Sequence, residues 1–277
     1  MIELSVAMPL FRAKYIGWLA FEGLCRQEDI DFELELVVAE EIDDEALLGE
    51  SLGSYENRLK KVGCSRLVYI PLEEFIPLAR KIRILAKNCS SSSKIFATSA
   101  ADILSPPKRL KTQYDVFISD PEVDWCTNAR TIVYDIESER CYLQDLTGKN
   151  VKKKNDGANR AIRMEIARNL PLSSRKSSID GWVWECSNNY VKKLKKKFKT
   201  YLDMTDNWKY GLNVNGLNNL SLGRSARFDK AFIKKSDRLR ECPIDINNTI
   251  PKDIMDRLRE CKQYIELHKR GIPGGKK

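Results

Sequence analysis

Acids stand at the ends of apolar runs at several points in this chain. Glu40-Glu41 close the run Leu34–Val38, and Asp102 follows the run Lys94–Thr98 across Ser99-Ala100-Ala101. A third acid, Asp180, opens the aromatic segment Asp180-Gly181-Trp182-Val183-Trp184. Carboxylates so placed suit proton transfer or the recognition of a nucleotide or metal-phosphate ligand. The chain has one histidine, His268, so a Ser-His-Asp or Cys-His arrangement and a His-rich zinc site have no material, and any proton transfer falls to a carboxylate. The eight cysteines are widely spaced with no CxxC pair, and they read as reduced thiols packed as small hydrophobes.

The elements that must position these acids follow from apolar periodicity. Leu4–Met8 is a short strand stopped by Pro9, and Ile16, Leu19, Ala20, Gly23 and Leu24 recur at helical spacing. Leu34–Val38 is a buried strand delivering Glu40 and Glu41 to its carboxyl end. A helix over Tyr55–Val62, a strand over Arg66–Ile70, a helix through Phe75, Leu78, Ala79, Ile82, Leu85 and Ala86, and a strand over Lys94–Thr98 complete an alternating pattern. Such alternation predicts an α/β fold with a largely parallel sheet, whose ligands bind beyond the strands' carboxyl ends. Here those ends carry Pro9, Glu40-Glu41 and Ser99–Asp102.

Beyond about residue 116 the pattern becomes mixed. Thr131–Tyr134 and Cys141–Leu143 read as antiparallel strands, and Arg160–Asn169 as a helix ending at Leu170-Pro171. Val191, Leu194, Phe198, Tyr201 and Leu202 read as the apolar stripe of a helix whose other face is lysine; Gly211–Arg227 reads as a loop, and Lys252–His268 as a last helix. The length of 277 residues fits one large domain or a domain with an extension, drawn here as 1–227 and 228–277, the latter helical. No apolar run approaches the ~18–20 residues of a membrane span. Met1-Ile2-Glu3 leads straight into an apolar run without a cationic leader, which places the chain in a cytosol.

Charge is unevenly distributed. Glu28–Asn57 holds acids and no Lys or Arg, whereas Lys149–Thr200 holds 15 Lys/Arg against 4 Asp/Glu, more than the net charge of +9. The lysine face over Val191–Lys199 is either simply solvated or attracts nucleic-acid phosphates or an anionic membrane surface. Nucleic acid is favoured over membrane because Lys149, Lys152–Lys154, Arg160 and Arg163 extend the basic character and the opposite face is not strongly apolar.

The order of these segments resembles family-2-type glycosyltransferases of the GT-A fold. Ser5-Val6-Ala7-Met8-Pro9, the following helix and Glu35–Glu41 are similar to the opening of their nucleotide-binding half. Ala79-Arg80-Lys81 stands where such enzymes carry Ala-Arg-Asn, and Lys94–Leu110 is similar to the strand, metal-binding turn and Pro-Pro helix start. Ile179–Trp184 is similar to their later acidic motif. The overall pattern also resembles phage-encoded members, some associated with sugar addition to modified DNA bases, which would put the chain in the host cytosol.

The resemblance implies a GT-A-like sheet flanked by helices, with a smaller mixed and helical C-terminal part. It implies inverting transfer of a sugar from a nucleotide-sugar co-substrate to an acceptor hydroxyl, with DNA as the expected acceptor and a glycan, lipid-linked sugar, protein or degenerate binding domain as alternatives. It implies Asp180 as catalytic base, although the same aspartate could serve as a helix N-cap. Donor binding would involve Pro9, Glu40, Glu41, Arg80 and Asp102, with Asn219, Ser221 and Arg224 from the Gly211–Arg227 loop as a lid. Acceptor binding would involve Trp182, Trp184, Lys192, Lys193 and Lys196. A divalent cation, Mg²⁺ or Mn²⁺, would sit at Asp102. The family's Asp-x-Asp-Asp is Ser99-Ala100-Ala101-Asp102 here, so one carboxylate survives. Either Asp102 and the donor's phosphates hold the ion, or cationic side chains such as Lys81 replace it, or catalysis has been lost.

Overall fold

The structure is a computed structural model that describes residues 1–43, 46–47, 52–136, 138–145, 159–171, 179–203, 212–215, 239–241 and 249–269. Its centre is a seven-stranded sheet. β1 (Leu4–Leu10) lies between β2 (Leu34–Glu41) and β4 (Ile95–Thr98), and β3 (Cys64–Leu72) flanks β2, all four parallel. On the far side of β4, β9 (Arg160–Arg163) runs antiparallel, followed by β6 (Trp125–Asn128) and β10 (Thr200–Asp203), which run parallel to β4 again. β1, β2, β3, β4, β6 and β10 therefore all end at one rim. A second sheet of five strands is ordered β12 (Leu239–Glu241), β8 (Arg140–Asp145), β7 (Arg130–Asp135), β11 (Leu212–Asn215) and β5 (Ile103–Leu104).

Every residue of β2 is buried, as a strand covered on both faces requires. On one face Val6, Met8, Leu36 and Val38 pack with α1 (Trp18–Cys25), the first turn of α4 (Arg109–Ser119), and Ile132 and Leu212 of the second sheet. On the other, Ala7, Val37, Ala39, Phe96 and Trp125 pack with α3 (Leu78–Asn88), α5 (Met164–Arg168) and α6 (Ile179–Lys193). α2 (Leu52–Lys61) joins the first face through Tyr55 and Leu59. α7 (Lys252–Lys269) contributes Ile254, Met255, Leu258 and Cys261 to the same core, where Cys261 meets Trp18 and Tyr15.

Four expectations change. Pro9 does not stop β1, which continues to Leu10 in register with Glu40. β4 leaves β1 at Ala7–Thr98, so Pro9 is paired on one side only and its missing N–H is tolerated. Arg160–Arg163 is a strand, with the helix beginning only at Met164. The lysine segment is not one helix: α6 ends at Lys193, Lys195 takes a left-handed φ of 58°, and Thr200–Asp203 is a strand. Leu212–Asn215, read as loop, is a strand of the second sheet, paired between β7 and β5.

Candidate functional site

β2 ends in two carboxylates that are not a solvated strand end: Glu40 is 0% and Glu41 4% exposed. The segments that follow the strands fold back onto them. Glu40 accepts from the Leu47 amide at 2.6 Å and the Tyr69 hydroxyl at 3.4 Å. Glu41 accepts from the Ile76 amide at 3.2 Å and from the Lys81 ammonium. Lys81 reaches across from α3, is 2% exposed, and also donates to the Leu10 carbonyl at 2.6 Å. Burial pulls its pKa below the ordinary lysine value, opposed by Glu41. Phe11 lies 5.7 Å beneath this ammonium and meets Phe75 edge-on at 5.3 Å. Arg80, the preceding residue of α3, is exposed.

The second half of the rim is the turn between β4 and β5. The Ser99 amide bonds the Ala7 carbonyl at 2.9 Å, which draws Ser99 into the protein, where its hydroxyl is buried without a partner. Asp102 is half-buried, and its carbonyl accepts from the Val214 amide of β11 at 2.8 Å. Arg109, wholly buried in the first turn of α4, braces this turn from below. Its guanidinium donates to Ser105 Oγ and Asn159 Oδ1, each at 2.8 Å, and to the Thr98 carbonyl at 2.9 Å. Sequence reasoning did not find Arg109 in this role, because its partners lie up to 50 residues away. The turn supplies one carboxylate, and among the described residues no group of three His, Cys, Asp or Glu could hold a metal ion. These residues do not by themselves fit a divalent-cation centre.

Pro9, Glu40, Glu41 and Asp102 are thus brought to one rim. Asp180 lies within α6; its side chain and that of Trp182 are outside the described residues, as are Asn219, Ser221 and Arg224. Trp184 is half-buried and packs edge-on against Trp125 at 5.4 Å and Phe198 at 4.8 Å. Lys192 and Lys193 are exposed in the last turn of α6. Lys196 pairs at 2.7 Å with Asp124, and Lys199 at 2.5 Å with Asp120. Asp124 immediately precedes β6, so Lys196 stands at the opposite end of the sheet from Glu40 and Glu41.

The described cysteines are all free. Burial pushes the Cys25 and Cys64 thiols up to about 11 and Cys89 to about 12, which leaves them poor nucleophiles at neutral pH. No described helix is long and apolar enough to cross a membrane.

No protein-family profile and no curated protein sequence matches the chain. Solved structures match it in fold. S. aureus TarS 1–349 in complex with UDP aligns with a TM-score of 0.55 at 13% identity, covering 77% of this chain and 60% of that one. The same protein with UDP-GlcNAc gives 0.54 at 12% identity over 77% and 59%. The mannosyltransferase PcManGT from Pyrobaculum calidifontis, in complex with GDP-Man and Mn²⁺, gives 0.51 at 14% identity over 78% and 57%. The chain spans less than two thirds of each of these proteins. Its seven-stranded sheet with helices on both faces is the fold of GT-A glycosyltransferases.

Proposed function

We propose that the protein is a glycosyltransferase that uses a nucleoside-diphosphate sugar. The observation that carries this reading is the rim itself: Glu40, Glu41, Lys81 and the Asp102 turn gathered at the strand ends of this fold. Open α/β sheets bind ligands at that place, and solved proteins of the same fold are complexed with UDP, UDP-GlcNAc or GDP-Man. In the reaction, the acceptor hydroxyl oxygen attacks the sugar's anomeric carbon. The bond from that carbon to the diphosphate oxygen breaks, and the nucleoside diphosphate leaves with the electron pair. A single displacement of this kind inverts the anomeric centre. The hydroxyl proton goes to a carboxylate, for which the single histidine leaves no common substitute, and Asp180 is the residue the family resemblance nominates.

Thermal unfolding of the full chain against UDP-, GDP- and CDP-linked sugars tests the donor class. A ligand at a hundred times its Kd adds about 2.7 kcal/mol of stability. A melting temperature unmoved by every nucleotide, with and without Mn²⁺, removes the reading. Asp180→Asn should abolish transfer and retain donor binding; an undiminished rate removes Asp180 from the chemistry.

The finer reading, a hydroxylated base in DNA as acceptor, is supported by the surplus of lysines in 149–200, of which Lys192, Lys193, Lys195 and Lys197 are exposed. DNA binding through them should weaken steeply with salt. Labelled donor offered with hydroxylated DNA, glycans, lipid-linked sugars and proteins decides the acceptor.

A further inference from the structure

We propose that Lys81 is the resident cation for the donor's diphosphate, and that donor binding therefore needs no divalent metal ion. The proposal rests on the donor reading above and names the group that meets the phosphates. The strand order β4-β1-β2 sets the geometry. Glu40 and Glu41 end β2, the Asp102 turn follows β4, and the Lys81 ammonium caps the Leu10 carbonyl at the end of β1 between them. A donor with its nucleoside at the acids and its sugar toward the turn must run its diphosphate over β1. Fold relatives include one complexed with Mn²⁺. In this chain the turn has Ser99, Ala100 and Ala101 before its single acid, and the Ser99 hydroxyl is turned into the protein.

Lys81 supplies what the turn lacks. Its ammonium sits in an oxygen cradle made of one carbonyl and one carboxylate, the hard-donor surroundings a metal ion would also choose. An ammonium has three N–H donors, and two are used here, so one is left for a ligand oxygen. The surrounding protein makes that donor strong: the side chain is 2% exposed, and a charge-assisted bond from such a place is shielded from water. Burial already depresses the lysine's pKa, and an arriving diphosphate favours the protonated form. Glu41 opposes that depression before the donor arrives.

Calorimetric titration of the full chain with UDP, UDP-GlcNAc, GDP and GDP-mannose, and with uridine and guanosine, tests the proposal in EDTA and in Mn²⁺. Lys81→Met alone leaves a buried, unpaired Glu41 and endangers folding, so the comparison is Glu41→Gln against Lys81→Met/Glu41→Gln, each checked by thermal unfolding. Glu41→Gln keeps Lys81, whose amine takes up a proton as the diphosphate arrives, and shares every other change. The double variant should bind the nucleoside diphosphate on the order of tenfold or more weakly than Glu41→Gln, with nucleoside affinity equal in the two. Wild-type affinity should change less than about threefold between EDTA and Mn²⁺, well under the tenfold that a lost charged contact costs. Equal diphosphate affinity in the two variants, or a tenfold loss in EDTA, overturns the assignment while the donor reading stands. A wild-type chain that binds none of the nucleotides in either condition overturns both.

Discussion

Gly23→Ala should destabilise this protein although it places a better helix former in a helix. Alanine in a helix interior is favoured over glycine by about 1 kcal/mol. Gly23 lies on the buried face of α1 against β5, and a Cβ there would stand 2.5 Å from the Ser105 amide nitrogen and 3.3 Å from the Leu104 carbonyl carbon. The obstacle is backbone, which no side-chain rotation can clear, so the cost belongs at the upper end of overpacking, about 3 kcal/mol. The net expectation is a loss of about 2 kcal/mol. Leu104-Ser105 is the exit of the Asp102 turn, and Ser105 Oγ accepts from Arg109, so the displaced strand should also weaken nucleotide binding at the rim. Urea unfolding followed by tryptophan fluorescence gives the first quantity, with the midpoint falling at unchanged slope. Gly53→Ala in the exposed first part of α2, where a Cβ meets nothing within 4 Å, is the control and should gain up to about 1 kcal/mol. A Gly23→Ala protein as stable as wild type refutes the close-packing argument.

Three further outcomes follow from buried polar groups. Burial alone would raise the Glu22 carboxyl, but the guanidinium of Arg58, bonded to both oxygens at 2.6 and 2.7 Å, and then that of Arg26 hold it below the usual 4.5. Its folded pKa being lowered, Glu22 contributes stability above 4.5 that is lost as pH falls through the folded value. Glu22→Gln should therefore cost about 2 kcal/mol near neutrality and progressively less in acid, and a pH-independent difference would count against the pairing. Ser99→Ala removes a buried hydroxyl without a partner and should leave the protein equally stable or about 1 kcal/mol more stable; a marked loss would reveal a bond at that oxygen. Cys25, Cys64 and Cys89 should be alkylated far more slowly in the native protein than in urea at pH 8, and equal rates would contradict their raised pKa values.

What was legible in the sequence is what local periodicity encodes. Leu34–Glu41 reads as a buried strand with acids at its end because Leu36–Ala39 is the unbroken apolar stretch that a fully buried parallel strand favours, and the two glutamates end it where the rim begins. The same reasoning finds α3 and α7 from apolar spacing. It fails where a segment is too short to show a period: Arg160–Arg163 is four residues feeding directly into a helix, and its strand identity comes from pairing with β4 and β6 on either side. It fails again along Leu194–Leu202, where Leu194, Phe198, Tyr201 and Leu202 mimic a helical stripe although Leu194 is 49% and Tyr201 38% exposed. The lysines there are set by partners instead, Lys196 by Asp124 and Lys199 by Asp120, more than 70 residues earlier.

The candidate site was legible in the same uneven way. Glu40, Glu41 and Asp102 could be seen because strand ends are readable and the sheet's parallel order carries them to one rim. That Glu41 is neutralised by Lys81 could not, since the two are 40 residues apart and a lysine on an amphipathic helix ordinarily points to water. Lys81 falls on the buried face of α3 with Ala79, Ile82, Leu85 and Ala86, so the helix spends one core position on a charge. A buried ammonium held by a single carboxylate and one carbonyl contributes little net stability, because desolvation offsets most of the attraction. A hydrophobic residue of similar volume at both positions would serve the core at least as well, so the pair is better explained by what arrives at the rim than by the fold it interrupts.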